Sequence, residues 1–222
     1  AYGSIASDIE QMFAEMPEME RFIAIDGRSV TDSYLAYTMV LGAMMAGGFV
    51  ISSVLRMRTE ETSGRLELML AHPLSRWTWA GAHLVVAAVG SVLLLAASGL
   101  GTGVGVSVAS GDPEQLVRMI GASIALVPAE LVLIGVSTAF VGVAPKAAPA
   151  AWLGLAVVVV VGLFGDLFDL PEPVRAISPL DHLPMLPADA FDGTAFVLVS
   201  AVGLLLVVVG LLAFRRRDVP AF

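Results

Sequence analysis

The chain has 222 residues, 57% of them hydrophobic and only 14% charged, and its mean hydropathy is +0.87. Soluble domains carry about 25% charged residues, so an ordinary cytosolic enzyme is a poor fit. Twelve basic residues against twenty acidic ones leave a net charge of −8 and no basic footprint for nucleic acid. Cysteine is absent, which excludes disulfides, thiolate catalysis and cysteine-held zinc or iron–sulfur centres.

The chain opens with a polar segment, 1–32. Ile5, Ile9, Met12, Phe13 and Met16 recur in it at helical spacing until Pro17 breaks the run. Its polar face is acidic, which suits anionic lipid poorly. The segment is either an external cap or gate helix or an outer helix packed against neighbouring spans. Crossing a bilayer takes about 20 apolar residues, and five later windows are long enough: 33–55, 78–106, 119–143, 147–165 and 193–214. The β-branched run Val157–Val161 is no barrel strand, because barrel strands alternate apolar with polar and these windows do not. The expected fold is therefore all-α and polytopic, with five transmembrane helices in a domain over 33–222.

Sidedness follows from arginine and lysine in the connections. Segment 56–76, Lys146 and the carboxyl-terminal tail hold eight basic residues on one side. Arg21, Arg28, Arg118 and Arg175 make four on the other. Segment 56–76 and the carboxyl terminus are thus expected in the cytoplasm of a bacterial plasma membrane. Ala1 and the Pro-rich loop 166–192 are expected outside. A chain that starts outside predicts at least one further span ahead of Ala1. The dominance of arginine over the single lysine, with abundant Ala, Val and Gly, suits a high-GC bacterium.

Much familiar chemistry is missing. A phosphate-binding P-loop needs a Lys after its second Gly, yet the only lysine, Lys146, lies between Pro145 and Ala147. His72, His83 and His182 are scattered, and no metal-ligand or nucleophile motif occurs, so no catalytic residue, metal or cofactor is assigned to this chain. The run Gly99, Gly101, Gly103, Gly105 lies inside an apolar span, where small residues four apart serve close helix packing rather than nucleotide binding. Glu130, just after Pro128, is the only formal charge deep in a span. An acid at that depth costs roughly 2.5–3.5 kcal/mol on insertion scales unless paired, protonated or facing water. It lines a substrate cavity, or it is a hydrogen-bonded or protonated packing residue at a proline kink.

Segment 56–79 is the densest charge cluster. Glu61 and Arg65 stand four apart with the favourable polarity, and Leu66, Met69 and Leu70 form a small apolar face on a short helix. Pro73 ends that helix, Ser75 is placed to cap the next one, and Trp77 and Trp79 suit the membrane interface. A short amphipathic helix of this kind fits a groove on a cytosolic protein.

The pattern Arg58, Glu60, Glu61, Gly64, Arg65, Glu67, Leu70, Ala71, Pro73, Ser75, Arg76, Trp79 resembles the cytoplasmic loop of ABC type-2 exporter permeases. It is most similar to the long actinobacterial members described as exporters of polyketide or tetronasin-like antibiotics. Ser178, Pro179, His182, Pro184 and Pro187 resemble that family's last external loop, and Phe214 to Asp218 its carboxyl-terminal end. The resemblance maps the chain to the C-terminal half of a two-half permease with six spans in that half. It implies a coupling helix within 56–76, with Glu60, Glu61, Gly64, Arg65 and Glu67 at or near a nucleotide-binding ATPase subunit present in two copies or as a dimer. It further implies a first permease half as partner, ATP and Mg bound by the ATPase alone, and hydrophobic compounds moved outward. Two other classes stay open: an ion-coupled drug carrier centred on Glu130, and a membrane scaffold without transport.

Overall fold

The computed structural model describes residues 29–64, 75–165 and 167–216. These residues are mainly helical, and no strand occurs among them. Seven α-helices follow in order: α1 Val30–Thr62, α2 Arg76–Ser110, α3 Glu114–Ile124, α4 Val127–Val143, α5 Ala151–Phe164, α6 Glu172–Arg175 and α7 Gly193–Arg216. Tight 3₁₀ turns at Pro145–Ala150 and Pro179–His182 complete the set. With α3 and α4 forming one broken unit, and Pro145–Ala150 leading into α5, five helical stretches are long and apolar enough to cross a membrane.

The helices overrun the apolar windows at informative places. Residues 56–62 do not open a loop after the first span; they continue α1 to Thr62. The helix stops there because Gly64 takes φ +73°, and the Ser63 and Gly64 amides close onto the carbonyls of Thr59 and Glu61. α2 starts at its predicted cap, where Ser75 Oγ accepts from the Thr78 amide at 3.0 Å. The third span is interrupted. Leu126 bonds back three residues to Ser123, and Pro128 has no amide to offer the Ile124 carbonyl. The chain restarts as α4 with Glu130 in its first turn. The expected rigid loop 166–192 contains α6 and a 3₁₀ turn, and it dips inward, burying Ser178, Pro179, Leu180 and Leu183.

Packing is set by small residues. In water a helix hides an apolar stripe, but in lipid close backbone approach replaces that driving force. Along the α4–α7 contact a Cβ on Gly135 would lie 2.6 Å from the Gly203 carbonyl oxygen. One turn pair further on, a Cβ on Gly142 would run into the Gly210 carbonyl. Matched spacings of seven on both helices make this a parallel seam. On α2, Gly99 and Gly103 press against the α3 backbone at Met119, Ile120 and Leu116, while Gly101 and Gly105 face open space. The packing account of that glycine run therefore holds for two of its four positions. α1 threads through the bundle and supplies much of the buried core, including Met39, Val50, Ile51 and Val54. Large apolar side chains on α2, α5 and α7 remain exposed, among them Leu93, Leu153 and Leu205.

Candidate functional site

One end of the bundle gathers the ends of α1, α2 and α7. Glu60, in the last turn of α1, accepts a hydrogen bond at Oε2 from Trp79 Nε1 at 3.0 Å. His83 Nε2 lies 3.2 Å from the same oxygen. Hydrogen bonds to a charged group contribute roughly 1.5–3 kcal/mol, so this link is strong for its size. The Trp79 ring stacks on Phe214 of α7 at 5.6 Å and 27°, and meets His83 edge-on at 5.0 Å. Trp79 and Phe214 are both buried. Trp77, two residues earlier, is exposed with the Arg215 guanidinium 6.0 Å above its ring.

The sequence-derived coupling residues divide. Glu60 turns toward α2. Glu61 is buried, with Oε2 3.1 Å from Arg58 Nη1. Gly64 forms the turn that stops α1. Arg65 and Glu67, and with them the expected amphipathic face Leu66, Met69 and Leu70, lie outside the described residues, as do the 1–28 stretch and residues 217–222. A cleft of about 250 Å³ opens beside this end, lined by Phe49, Ser53, Arg56, Glu60 and His83.

Glu130 lies away from that cluster. It is 1% exposed, and among the described residues its Oε2 has no hydrogen-bond partner. The oxygen faces α1 at Gly47, 3.7 Å from where a Cβ would stand, beside Leu133 and Leu155. The first turn of α4 sets the carboxyl at the positive end of that helix dipole. On the far side of Leu133 an apolar groove of about 310 Å³ runs between α4 and α5, lined by Val132, Val136, Phe140, Leu153 and Val157.

The opposite end is tied by Arg118 of α3. Its two terminal nitrogens meet the two carboxylate oxygens of Asp32 at 3.0 Å each, and Nη2 also donates to the Pro187 carbonyl at 3.1 Å. In the inward-dipping loop, Arg175 Nε bonds Asp181 Oδ1 at 3.1 Å and His182 Nε2 lies 2.8 Å from the Ala176 carbonyl. A second pocket, about 260 Å³, sits there between α1, α5 and the loop, lined by Tyr37, Val40, Val161, Arg175, Leu180 and Asp181.

Sequence reasoning did not foresee the Glu60–Trp79, Trp79–Phe214 and Asp32–Arg118 contacts. The one available hint was that Glu60, Trp79 and Phe214 each belong to a stretch carrying the family resemblance. In the structure these stretches converge.

Five helical units long and apolar enough to cross a membrane, with Glu130 the one buried acid away from their ends among the described residues, define a polytopic helical membrane protein. The chain belongs to the family described as the C-terminal domain of the multidrug efflux system permease Rv1217c, whose model matches residues 1–215. The multidrug efflux system permease protein Rv1217c of Mycobacterium tuberculosis is 33% identical over 186 residues, covering 83% of this chain and 34% of that protein. The chain thus spans about a third of the length of the curated relative it matches. The resemblance to the C-terminal half of an exporter permease agrees with this membership.

Proposed function

We infer that the chain is the C-terminal portion of the membrane permease of an ATP-driven ABC exporter that moves hydrophobic compounds, such as antibiotics or drugs, out of a bacterial cell. A separate ATPase subunit, as two copies or a dimer, binds ATP and Mg and supplies the energy. The remaining permease half completes the pathway within the plasma membrane. The Glu60 end faces the cytoplasm, and the Asp32 end and Ala1 face outward. Segment 56–76 carries the ATPase contact, with Gly64, Arg65 and Glu67 on it and Glu60 and Glu61 at its root. Membership of the multidrug efflux permease family is the observation that carries this reading. The convergence of Glu60, Trp79 and Phe214 at one end supports it.

ATPase closure displaces the coupling segment and shifts the spans between two states. The apolar groove between α4 and α5 suits a hydrophobic passenger. Glu130 is the one charged candidate along the pathway. Its unpartnered oxygen also favours a second reading, an ion-coupled carrier in which this acid takes up the coupling ion.

Purification of the full-length native protein in mild detergent, with mass spectrometry of its companions, tests the reading. A stoichiometric P-loop ATPase, lost when Glu61 and Arg65 are both replaced by Ala, is the expected result. Recovery alone, with transport that follows the proton gradient, overturns it in favour of the carrier.

A further inference from the structure

Two tryptophans two residues apart behave oppositely. An interfacial Trp ordinarily turns its ring to the headgroup layer, and Trp77 is placed to do so, 43% exposed. Trp79 is 4% exposed and spends its only polar hydrogen on a carboxylate from another helix. Its ring is held between His83 of its own helix and Phe214 of a third. One indole therefore joins the consecutive helices α1 and α2 to α7, which is distant in the chain. From Phe214, α7 runs back along α4, where Gly135 meets Gly203 and Gly142 meets Gly210 with no side chain between the backbones. Such close-packed contacts shift as units rather than stretch. The far end of that seam leads to the first turn of α4, where Gly203 packs against Leu131 next to Glu130.

We propose that Glu60, Trp79 and Phe214 form a clasp that makes the ends of α1, α2 and α7 move as one body, so that displacement of segment 63–75 by a docked ATPase reaches α4 through α7. The proposal rests on the ABC reading. Glu60 and Trp79 are positioning residues: they hold the root of the coupling segment and act on the pathway through α7.

The test uses the full-length permease with its ATPase subunit in proteoliposomes, with ATP hydrolysis and transport measured separately. Trp79→Phe keeps the ring and removes the Nε1 hydrogen. It should retain the copurifying ATPase and its basal hydrolysis, while transport per ATP falls at least about three-fold, within the range for residues that modulate coupling. Should Trp79→Phe not reach the membrane, Phe214→Leu, which removes the stacked ring from α7, carries the same expectation as Trp79→Phe. Native transport per ATP in Trp79→Phe or Phe214→Leu overturns the clasp. Loss of the ATPase from Trp79→Phe also overturns it, because Trp79 would then belong to the docking contact itself. Failure of the ABC reading shows separately: the native protein then lacks ATP-dependent transport before any variant is compared, and the clasp falls with it.

Discussion

Gly142 and Gly210 face each other across the α4–α7 contact so closely that a Cβ on Gly142 would strike the Gly210 carbonyl oxygen. No side chain can be added there without parting the helices. Gly142→Leu should therefore destabilise the protein by roughly 1–3 kcal/mol, the usual penalty of overpacking. Gly101→Ala, whose Cβ meets nothing within 4 Å, should be neutral or slightly stabilising. Thermal unfolding in detergent, followed by size-exclusion fluorescence, compares the two. Equal melting points for both variants would contradict the seam.

Gly64 stops α1 with φ +73°. An L-residue in that region costs about 1–2 kcal/mol, and Asn tolerates it better than Ala or Val. Gly64→Val should fray the last turn of α1, raising amide exchange at Thr59–Ser63, and Gly64→Asn should do so less. Indistinguishable exchange in the two variants would show that the turn adapts without strain.

Arg118 joins α3 to Asp32 and to the Pro187 carbonyl. The guanidinium is 41% exposed and Asp32 26%, so solvent screens the pair and its coupling should be no more than about 1 kcal/mol. Arg118→Ala should cost more than Asp32→Asn, since only the former also releases the loop carbonyl. A double-mutant cycle on unfolding separates the two contributions.

Glu130→Gln preserves volume at a site with 1% exposure and an unpartnered oxygen. Expression and thermal stability should be retained. If the acid meets a cationic substrate or coupling ion, transport should fall more than about ten-fold, as when one partner of a buried charged contact is removed. Unchanged transport would leave Glu130 as a packing residue at the helix break.

The chain has no cysteine of its own, so single replacements report sidedness against a clean background in a full-length protein freed of other thiols. Ser63→Cys should react with a membrane-impermeant maleimide only in inverted vesicles. Asp112→Cys, in the turn between α2 and α3, should react in whole cells. The reverse pattern would invert the proposed topology.

Hydropathy alone was enough to expect an all-helical chain with five helices long and apolar enough to cross a membrane, because a bilayer core demands long apolar runs. Local backbone chemistry was equally legible: Ser75 capping α2, and Pro128 preventing the third span from running unbroken. Interhelical pairing was not. A lipid-facing helix is apolar all round, so no stripe tells which face packs. Gly99, Gly101, Gly103 and Gly105 look alike in the sequence, yet only Gly99 and Gly103 meet α3. Glu60 and Glu61 are the same residue type side by side, yet it is Glu60 that reaches across 19 residues to Trp79. The length and apolar character of each helix are properties of local composition. Which side chains meet depends on how the helices are rotated and registered against one another, and that was decided only when the bundle assembled.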